Sequence, residues 1–595
     1  MYTKYLKKFE MLISWTQARL SNRHFIFLSS ILVGVSSALA VIVLKTFAHS
    51  VYSFAESVNK ILNVKHVNVI LPIIGILLTA VVIKRVLGGT IEKGTSQLMY
   101  AVAKKASILP KKQMYAQIIT SSLTVGLGGS AGLESPITIT GAAFGSNYAQ
   151  AYGLSYRDRT LLLACGVAAG IAAAFNAPIA GVLFTIEVLL ADVGITAFIP
   201  IMISAATGAI VSNIILNENI LLSFKQQQSF DYNNIPYYVI LGGLAGFISI
   251  YHSRVFQRIE HYFERYNVGR YKKALIGSLM LAAIIYVFPS LFGEGYESIK
   301  ILSQQNPERL LDETIFSGFR NNTWVLLVFV GATTLLKVFA TGITLGSGGN
   351  GGNFAPSLFV GSYLGFFFST FINQLGITKP LPVSNFTLVG MAGLLSGLFH
   401  APLTAIFLIA EITGGYNLMI PLMMVSSISF AISKQFENHS MDIKKLAAKG
   451  HVFTSNKDKN ILTTIEASTI IQTDYESIQP EDNLEKLVAL ISHSKQVVFP
   501  VVNNDQELVG IIYFDAIRDI IFSPFKAKYT LVKEIMKAPS NTINSYDNME
   551  RIMKKFDTSH ETYLPVIKDG KYYGFISKTV ALETYRNQLK TMTIE

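Results

Sequence analysis

Charged side chains are scarce in this chain. They make up 15% of its 595 residues, whereas a soluble globular protein carries about 25%. Cysteine is nearly absent as well, and the single Cys165 excludes an intramolecular disulfide framework. Hydrophobic residues fill half of the chain (50%). This balance indicates a membrane protein rather than a soluble one.

Long segments without any formal charge support this interpretation. Residues 25–44, 161–186 and 193–217 contain no Asp, Glu, Lys or Arg, and a helix needs roughly 20 apolar residues to cross the hydrocarbon core. The formal net charge of +12 fits cations that flank membrane helices on the cytosolic side better than it fits nucleic-acid binding. We therefore expect a multi-pass protein that lies in a lipid bilayer and binds no nucleic acid.

The composition changes near residue 440, from apolar spans to charged, alternating segments. We predict an N-terminal segment at 1–20, a membrane transport domain at 21–440, a linker at 441–467 and two soluble modules at 468–525 and 526–595. The first apolar run lacks the cleavage site of a secretory signal. Cations before it favour a cytosolic N-terminus, and they are Lys4, Lys7, Lys8, Arg19 and Arg23.

The membrane region contains an internal repeat. AGIAAAFNAPIAGVLFTIE (169–187) resembles AGLLSGLFHAPLTAIFLIAE (392–411), and a glycine-rich segment precedes each copy, GLGGSAGLESP before the first and GSGGNGGNFAP before the second. Homologous halves with apolar segments broken by glycine and proline are typical of transporters whose site lies between the repeats. The soluble region repeats too: DNLEKLVALI (482–491) resembles DNMERIMKKF (547–556), and each copy predicts an amphipathic helix followed by two strands.

The two glycine-rich segments point to an anion. Irregular backbone is tolerated in hydrocarbon only where it lines a cavity or is buried in protein, and Pro136 and Pro356 suit the first turn of a helix that restarts there. Two such helix ends would aim free amides and positive dipole ends at one anion. Glu134 lies just before Pro136. This carboxylate either caps the helix or competes with the anion for the same amides and leaves when it is protonated.

These motifs resemble those of the CLC family of chloride channels and chloride/proton exchangers. GLESP (132–136) is similar to that family's G-K/R-E-G-P, and GGNFAP (351–356) is similar to G-x-F-x-P. The resemblance implies an all-α polytopic membrane domain of inverted repeats with broken helices, and a homodimer with one pore per subunit. It also implies that both termini are cytosolic, and we expect a bacterial inner membrane.

Carried over residue by residue, the resemblance assigns Glu134 as the gate for chloride or a similar small anion. It also implies a set of anion-binding residues, whose backbone amides would coordinate the ion: Leu133, Glu134, Ser135, Asn353, Phe354 and Ala355.

Two departures from the family concern the inner mouth of the pore. The family's G-S-G-I-P motif falls on residues 92–96, so Lys93, beside Gly94, takes the place of a serine. The central tyrosine of the family falls on Asp442. We hypothesise that Lys93 and Asp442 face each other and form an ion pair, since facing charges in a partly dry site favour each other's ionised form. The alternative is that both residues are merely solvated.

A third departure concerns protons. The internal proton-transfer glutamate of the family falls on Val188, and a valine cannot relay a proton. The adjacent Glu187 could substitute, but its counterpart Glu411 in the second repeat favours a structural role for both. A passive channel is therefore favoured, and a chloride/proton antiporter is the alternative.

The soluble tail resembles a tandem pair of α/β CBS domains, which often bind adenine nucleotides. The usual ribose-contacting aspartate falls on Ala516 in the first copy and on Val580 in the second. The sequence thus argues against a nucleotide without excluding it, and favours a role in dimer stability or gating.

Other function classes find less support in the sequence. A CBS-bearing cation transporter would need intramembrane acidic clusters, which are not apparent. A sensor without transport would be favoured if replacing Glu134 changed no flux. We expect no enzymatic activity, no required cofactor and no metal site.

Overall fold

The computed structural model describes residues 19–592 except for 63–66, 92, 191–194, 217–229, 267, 304–305, 313, 378, 448–461 and 463–464. Most of the predicted N-terminal segment and most of the predicted linker lie outside the described residues. The chain forms two compact units, which divide between Lys449 and Gly450.

The first unit is built from helices joined by turns and loops, and its described residues contain no strand. Its α-helices are α1 (Asn22–Leu62), α2 (Val67–Arg85), α3 (Thr95–Lys104), α4 (Gln113–Gly126), α5 (Glu134–Ala151), α6 (Tyr156–Phe175), α7 (Pro178–Phe184), α8 (Ile195–Leu216), α9 (Ile235–Arg265), α10 (Arg270–Val287), α11 (Tyr296–Ser303), α12 (Thr323–Ser347), α13 (Phe354–Leu375), α14 (Val383–Phe399), α15 (Pro402–Ile412), α16 (Met419–Phe436) and α17 (Met441–Ala447).

Several of these helices are long and apolar enough to cross a membrane. Within the described residues there are eight, formed by α1, α2, α6, α8, α9, α12, α13 and α16. Three shorter apolar helices, α7, α14 and α15, accompany them. Pro178 and Pro402 begin α7 and α15. Proline suits this position because a backbone N–H in the first turn of a helix has no acceptor within the helix, so its absence costs no hydrogen bond.

The repeat predicted from the sequence is present in the packing. In the first copy, an added Cβ at Gly141 of α5 would lie 2.2 Å from the Gly166 oxygen of α6. In the second copy, a Cβ at Gly361 of α13 would lie 2.4 Å from the Gly390 oxygen of α14. Glycine therefore brings the backbones of the two helices into direct contact in each copy, as small residues commonly do in membranes.

The second unit contains both soluble modules, and each has the predicted order of a helix followed by two strands. The first module contains α18 (Leu484–His493), β1 (Val498–Val502) and β2 (Leu508–Tyr513). Its further short helices are α19 (Phe514–Ile517), α20 (Pro524–Tyr529) and α21 (Val532–Ile535). The second module contains β3 (Ile543–Asn544), α22 (Met549–Ser559), β4 (Tyr563–Lys568), β5 (Lys571–Ser577) and α23 (Lys578–Met592).

The same antiparallel strand pair is present in both modules. β1 pairs antiparallel with β2 and β4 pairs antiparallel with β5, while the short β3 runs parallel to β4. Asn483 and Asn548 cap α18 and α22 by accepting the backbone N–H groups of Lys486 and Arg551. The modules meet through an apolar cluster built around Val498, Ile511 and Phe575.

Candidate functional site

The two glycine-rich segments meet inside the membrane unit. Gly132 and Gly352 donate to each other's carbonyl oxygens, with N···O distances of 2.9 and 2.8 Å. A threonine hydroxyl of one repeat accepts an amide of the other: the Ser130 N–H donates to Thr344 Oγ1 at 3.2 Å, and the Asn350 N–H donates to Thr124 Oγ1 at 3.0 Å.

The partners in these contacts occupy equivalent positions of the two copies, 220 residues apart (352 − 132, 344 − 124 and 350 − 130). Each loop is thus held by its counterpart, and the irregular backbone stays hydrogen-bonded within the protein, as hydrocarbon requires. Without these hydrogen bonds, the unpaired backbone groups of the loops would destabilise the folded protein.

Helices α5 and α13 begin directly after this junction, and carboxylates occupy amides at both helix starts. Glu134, only 4% exposed, accepts the Ala355 N–H through Oε2 at 3.3 Å. Its other oxygen, Oε1, accepts the Tyr296 hydroxyl at 2.8 Å. The Leu133 N–H donates to Glu294 Oε1 at 3.0 Å. The first-repeat glutamate therefore binds the second-repeat helix start, which is where the sequence predicts an anion.

A cavity of about 520 Å³ ends at this junction. Its lining contains four of the predicted anion-binding residues and all three predicted inner-mouth residues, namely Glu134, Ser135, Asn353, Phe354, Lys93, Gly94 and Asp442. Leu133 and Ala355 are not part of this lining. The charged lining residues are the cations Lys93, Arg254, Arg258, Lys444 and Lys445 and the carboxylates Glu134, Glu260, Glu264 and Asp442. A cavity that is closed by helix N-termini, and whose lining has one cation more than carboxylates (5 − 4), can hold a small anion.

The predicted ion pair between Lys93 and Asp442 is wrong. The Lys93 ammonium donates to the Gly348 and Gly349 carbonyl oxygens at 3.1 and 2.6 Å, and Asp442 is hydrogen-bonded to Thr95 instead. Gly348 follows the C-terminus of α12, where the carbonyls left unpaired by the helix favour a cation. These carbonyls satisfy Lys93 without a carboxylate.

Ser135 and Phe354 supply two further features of the cavity. The Ser135 hydroxyl is buried and has no hydrogen-bond partner among the described residues. The Phe354 ring packs against two others: its centroid lies 5.9 Å from that of Phe175 and 5.6 Å from that of Phe399. The cavity therefore ends in one free hydroxyl and an aromatic wall to which both repeats contribute.

Glu187 and Glu411 each bind the N-terminus of a helix in the other repeat. Glu187 accepts the Leu403 and Thr404 amides of α15 at 3.1 and 2.7 Å, together with the Thr404 hydroxyl. Glu411 accepts the Ile179 and Ala180 amides of α7 at 3.1 and 2.8 Å. Both carboxylates are thus engaged as reciprocal helix caps.

Val188 lies in a single π-helical turn after α7 and is 8% exposed. Its side chain has no group that can carry a proton, so the expected proton-transfer position holds apolar surface.

Glu294, Tyr296 and Lys337 are site residues that the sequence motifs did not predict. Lys337 lies fully buried in α12, and its ammonium donates to the Gly293 carbonyl at 3.1 Å. The sequence did carry a signal, because a lysine within an apolar span and the acidic, glycine-rich GEGYE segment (293–297) are both unusual at membrane depth.

The two expected ribose positions of the soluble modules offer no carboxylate. Ala516 is exposed on α19, and Val580 packs against the core of the second module. Nearby, the Tyr513 hydroxyl donates to Glu561 at 2.6 Å, and burial together with this carboxylate raises the pKa of Tyr513. A cavity of about 350 Å³ in the second module is lined by residues that include Asp547, Lys568 and Tyr573.

Comparison with known families gives matches over both units. The profile described as voltage gated chloride channel matches residues 74–434, and the CBS domain profile matches residues 467–523 and 532–585. The chain is 30% identical over 338 residues to a ClcB-like protein of Ralstonia nicotianae, an alignment that spans 56% of this chain and 74% of that protein. It is 29% identical over 310 residues to the H(+)/Cl(-) exchange transporter ClcA of Vibrio cholerae, over 51% of this chain and 62% of that protein.

Solved structures share the fold at low identity. A slow cyanobacterial Cl−/H+ antiporter matches with a TM-score of 0.62 at 20% identity, over 72% of this chain and 98% of that one. A eukaryotic CLC transporter matches with a TM-score of 0.62 at 18% identity, over 94% of this chain and 98% of that one. The expected fold class, a helical membrane domain of inverted repeats followed by an α/β CBS pair, is confirmed.

Proposed function

The chain belongs to the voltage gated chloride channel family, and on that premise we propose that it is a passive pathway for chloride gated by Glu134. It is a multi-pass membrane protein of a family that transports anions. One observation carries the proposal: the Glu134 carboxylate accepts the Ala355 N–H at the start of the opposite helix. A carboxylate that binds this amide competes with a chloride ion for the same donor.

The cavity supports an anion as the substrate. Once Glu134 leaves, the Ala355 amide becomes available, and the Ser135 hydroxyl already lacks a partner among the described residues. Neutral N–H and O–H donors hold an anion without the strong binding that a full positive charge would impose. The lining carries five cations and four carboxylates, and this small positive excess favours an anion at the entrance.

A passive pathway is favoured over proton exchange because of Val188 and Glu187. The first has no titratable group, and the second already accepts two amides and a hydroxyl of α15. A proton entering from the cavity would find no free carboxylate at this position. Proton-coupled antiport is the second candidate, favoured by the presence of Glu134 and by relatives whose names describe exchange.

We further propose a homodimer in a bacterial inner membrane, with both termini and the cavity on the cytosolic side. Ile179 and Leu403, near the starts of α7 and α15, are 40% and 48% exposed. Exposed apolar side chains on paired helices fit a contact with lipid or with a second copy. The CBS pair would then stabilise the dimer or act on gating, and Ala516 and Val580 argue against a ribose contact.

Glu134→Gln tests the gate. Glutamine keeps the size of the side chain but removes the charge that competes with the anion. In liposomes loaded with chloride we expect faster efflux than from the wild type, and a smaller rise of the efflux rate on acidification. The matched control is Glu297→Gln, because this carboxylate is 84% exposed and pairs only with the nearby Lys300 among the described residues.

Two results would contradict the proposal. If the wild type released no chloride, bromide, nitrate or fluoride, the assignment as an anion pathway would be wrong. If Glu134→Gln behaved like the control variant at every pH, Glu134 would be a helix cap and not a gate.

A further inference from the structure

A second carboxylate, Glu294, lies beside Glu134 and has no place in the pathway described above. Two glycines in the left-handed region hold it, Gly293 with φ 60° and Gly295 with φ 94°. A Cβ at Gly295 would lie 2.4 Å from the ring of Phe359, so no larger residue fits there. This bent segment is anchored to the first glycine loop, because the Gly293 N–H donates to the Gly128 carbonyl at 3.1 Å.

The contacts of Glu294 parallel those of Glu134. Glu294 accepts the Leu133 N–H at 3.0 Å, whereas Glu134 accepts the Ala355 N–H at 3.3 Å. Both amides belong to the segments for which the sequence predicts anion coordination. The two carboxylates thus occupy one predicted anion-binding amide in each repeat.

Tyr296 links the pair. It follows Gly295 at the start of α11 and donates its hydroxyl to Glu134 Oε1 at 2.8 Å. The segment that positions Glu294 therefore also holds Glu134 against the second helix start.

Glu134 and Glu294 differ in how much of the side chain is exposed and in whether it lines the cavity. Glu134 is 4% exposed and lines the cavity, whereas Glu294 and Tyr296 are partly exposed and do not line it. The exposed part of Glu294 therefore lies outside the cavity lining. Glu134 thus borders the cavity, and Glu294 lies behind it at the same loop junction.

The charged and titratable groups that face Glu294 come from several elements. They are Glu134 of α5, Tyr296 of α11, Lys337 of α12 and Lys45 of α1. The Lys337 ammonium donates to the carbonyl of Gly293, the residue before Glu294, and Lys45 donates to the Ala174 carbonyl at 3.3 Å. Both ammonium groups donate to backbone oxygens, and their charges offset part of the negative charge of Glu294 and Glu134.

We propose that Glu294 is a second gating carboxylate, at the mouth opposite the cavity, which holds the Leu133 amide until an anion displaces it. This inference rests on the proposed function and deepens it. Tyr296 is a positioning residue that keeps Glu134 in its closed position. Two carboxylates in series would close the pathway from both sides.

The test compares Glu294→Gln with the wild type and with the exposed neighbour variant Glu297→Gln in chloride-loaded liposomes. Loss of one charge-assisted hydrogen bond corresponds to a change of roughly tenfold. We expect Glu294→Gln to release chloride about tenfold faster at neutral pH and to show a flatter rise on acidification. Tyr296→Phe should accelerate efflux as well, while keeping the acid activation that depends on Glu134.

Glu294→Asp covers the case in which the glutamine variant fails to fold. Aspartate keeps the charge but is shorter by one methylene and reaches the Leu133 N–H less well, so efflux should again exceed that of the wild type. Wild-type rates and pH profiles in the folded Glu294 variants, together with an altered Glu134→Gln, would overturn the second gate and leave the proposed function intact. Absence of anion flux in every variant would overturn both.

Discussion

Replacing Glu187 by glutamine tests whether the reciprocal caps hold the two repeats together. Glu187 accepts two backbone amides and one hydroxyl of α15. Glutamine retains one acceptor oxygen, and its NH₂ group would face a backbone N–H, leaving at least one donor unpaired. An unpaired buried donor costs about 1–3 kcal/mol, and loss of the charge at the helix N-terminus costs about 0.3–1 kcal/mol more.

Because Glu187 is partly exposed, we take about 2 kcal/mol as the expected loss in the free energy of unfolding. At roughly 2 °C per kcal/mol for a large domain, the unfolding midpoint in detergent should fall by on the order of 4 °C. The assay is loss of the folded peak in size-exclusion chromatography after heating. Glu411→Gln should give a similar fall, since Glu411 makes the equivalent contacts with α7.

The exposed control Glu297→Gln should stay within about 0.5 kcal/mol of the wild type. Unchanged midpoints in both Glu187→Gln and Glu411→Gln would refute the capping role. An unchanged midpoint in Glu187→Gln combined with a lost proton flux would instead make Glu187 a proton carrier.

Two further predictions concern the loop junction and the inner mouth. Thr124→Val and Thr344→Val remove the hydroxyls that accept the Asn350 and Ser130 amides, so each should lower the unfolding midpoint by an amount equivalent to about 1–3 kcal/mol; equal midpoints for these variants and the wild type would contradict the mutual support of the loops. Lys93→Met should raise the half-saturating chloride concentration for flux, because it removes the cation bound to the Gly348 and Gly349 carbonyls. Converted to free energy, the change in half-saturating concentration caused by Lys93→Met should differ by less than about 0.5 kcal/mol between the wild-type and Asp442→Asn backgrounds. A larger difference would show that Lys93 and Asp442 interact, which would contradict the contacts seen in the structure.

Much of the fold could be predicted from the sequence because the two copies keep constant spacings. The glycine-rich segments, the following prolines and the paired glutamates Glu187 and Glu411 recur in the same order. Since glycine and proline have few structural uses within apolar spans, their repetition indicates broken helices. The CBS pair could be predicted in the same way, because DNLEKLVALI and DNMERIMKKF repeat 65 residues apart (547 − 482), and the structure has a helix in each segment.

The contacts made by individual charged side chains could not be predicted in the same way. Lys93 binds carbonyls of residues 348 and 349, and Leu133 binds a carboxylate 161 positions away in the chain. Such pairs join loops that have no periodic pattern and are brought together only by packing of the whole unit. The inner-mouth ion pair was wrong for this reason, since two opposite charges near one pore need not contact each other when backbone carbonyls are available.

The function proposed for this protein is passive chloride movement through a pathway without an internal proton carrier. Its most direct test measures chloride and proton flux together in liposomes that contain the wild-type protein under a chloride gradient, with valinomycin and potassium setting the voltage. We expect chloride to flow down its gradient while the internal pH stays constant. Protons driven uphill by chloride flow would contradict it, because a proton path would then have to bypass Val188.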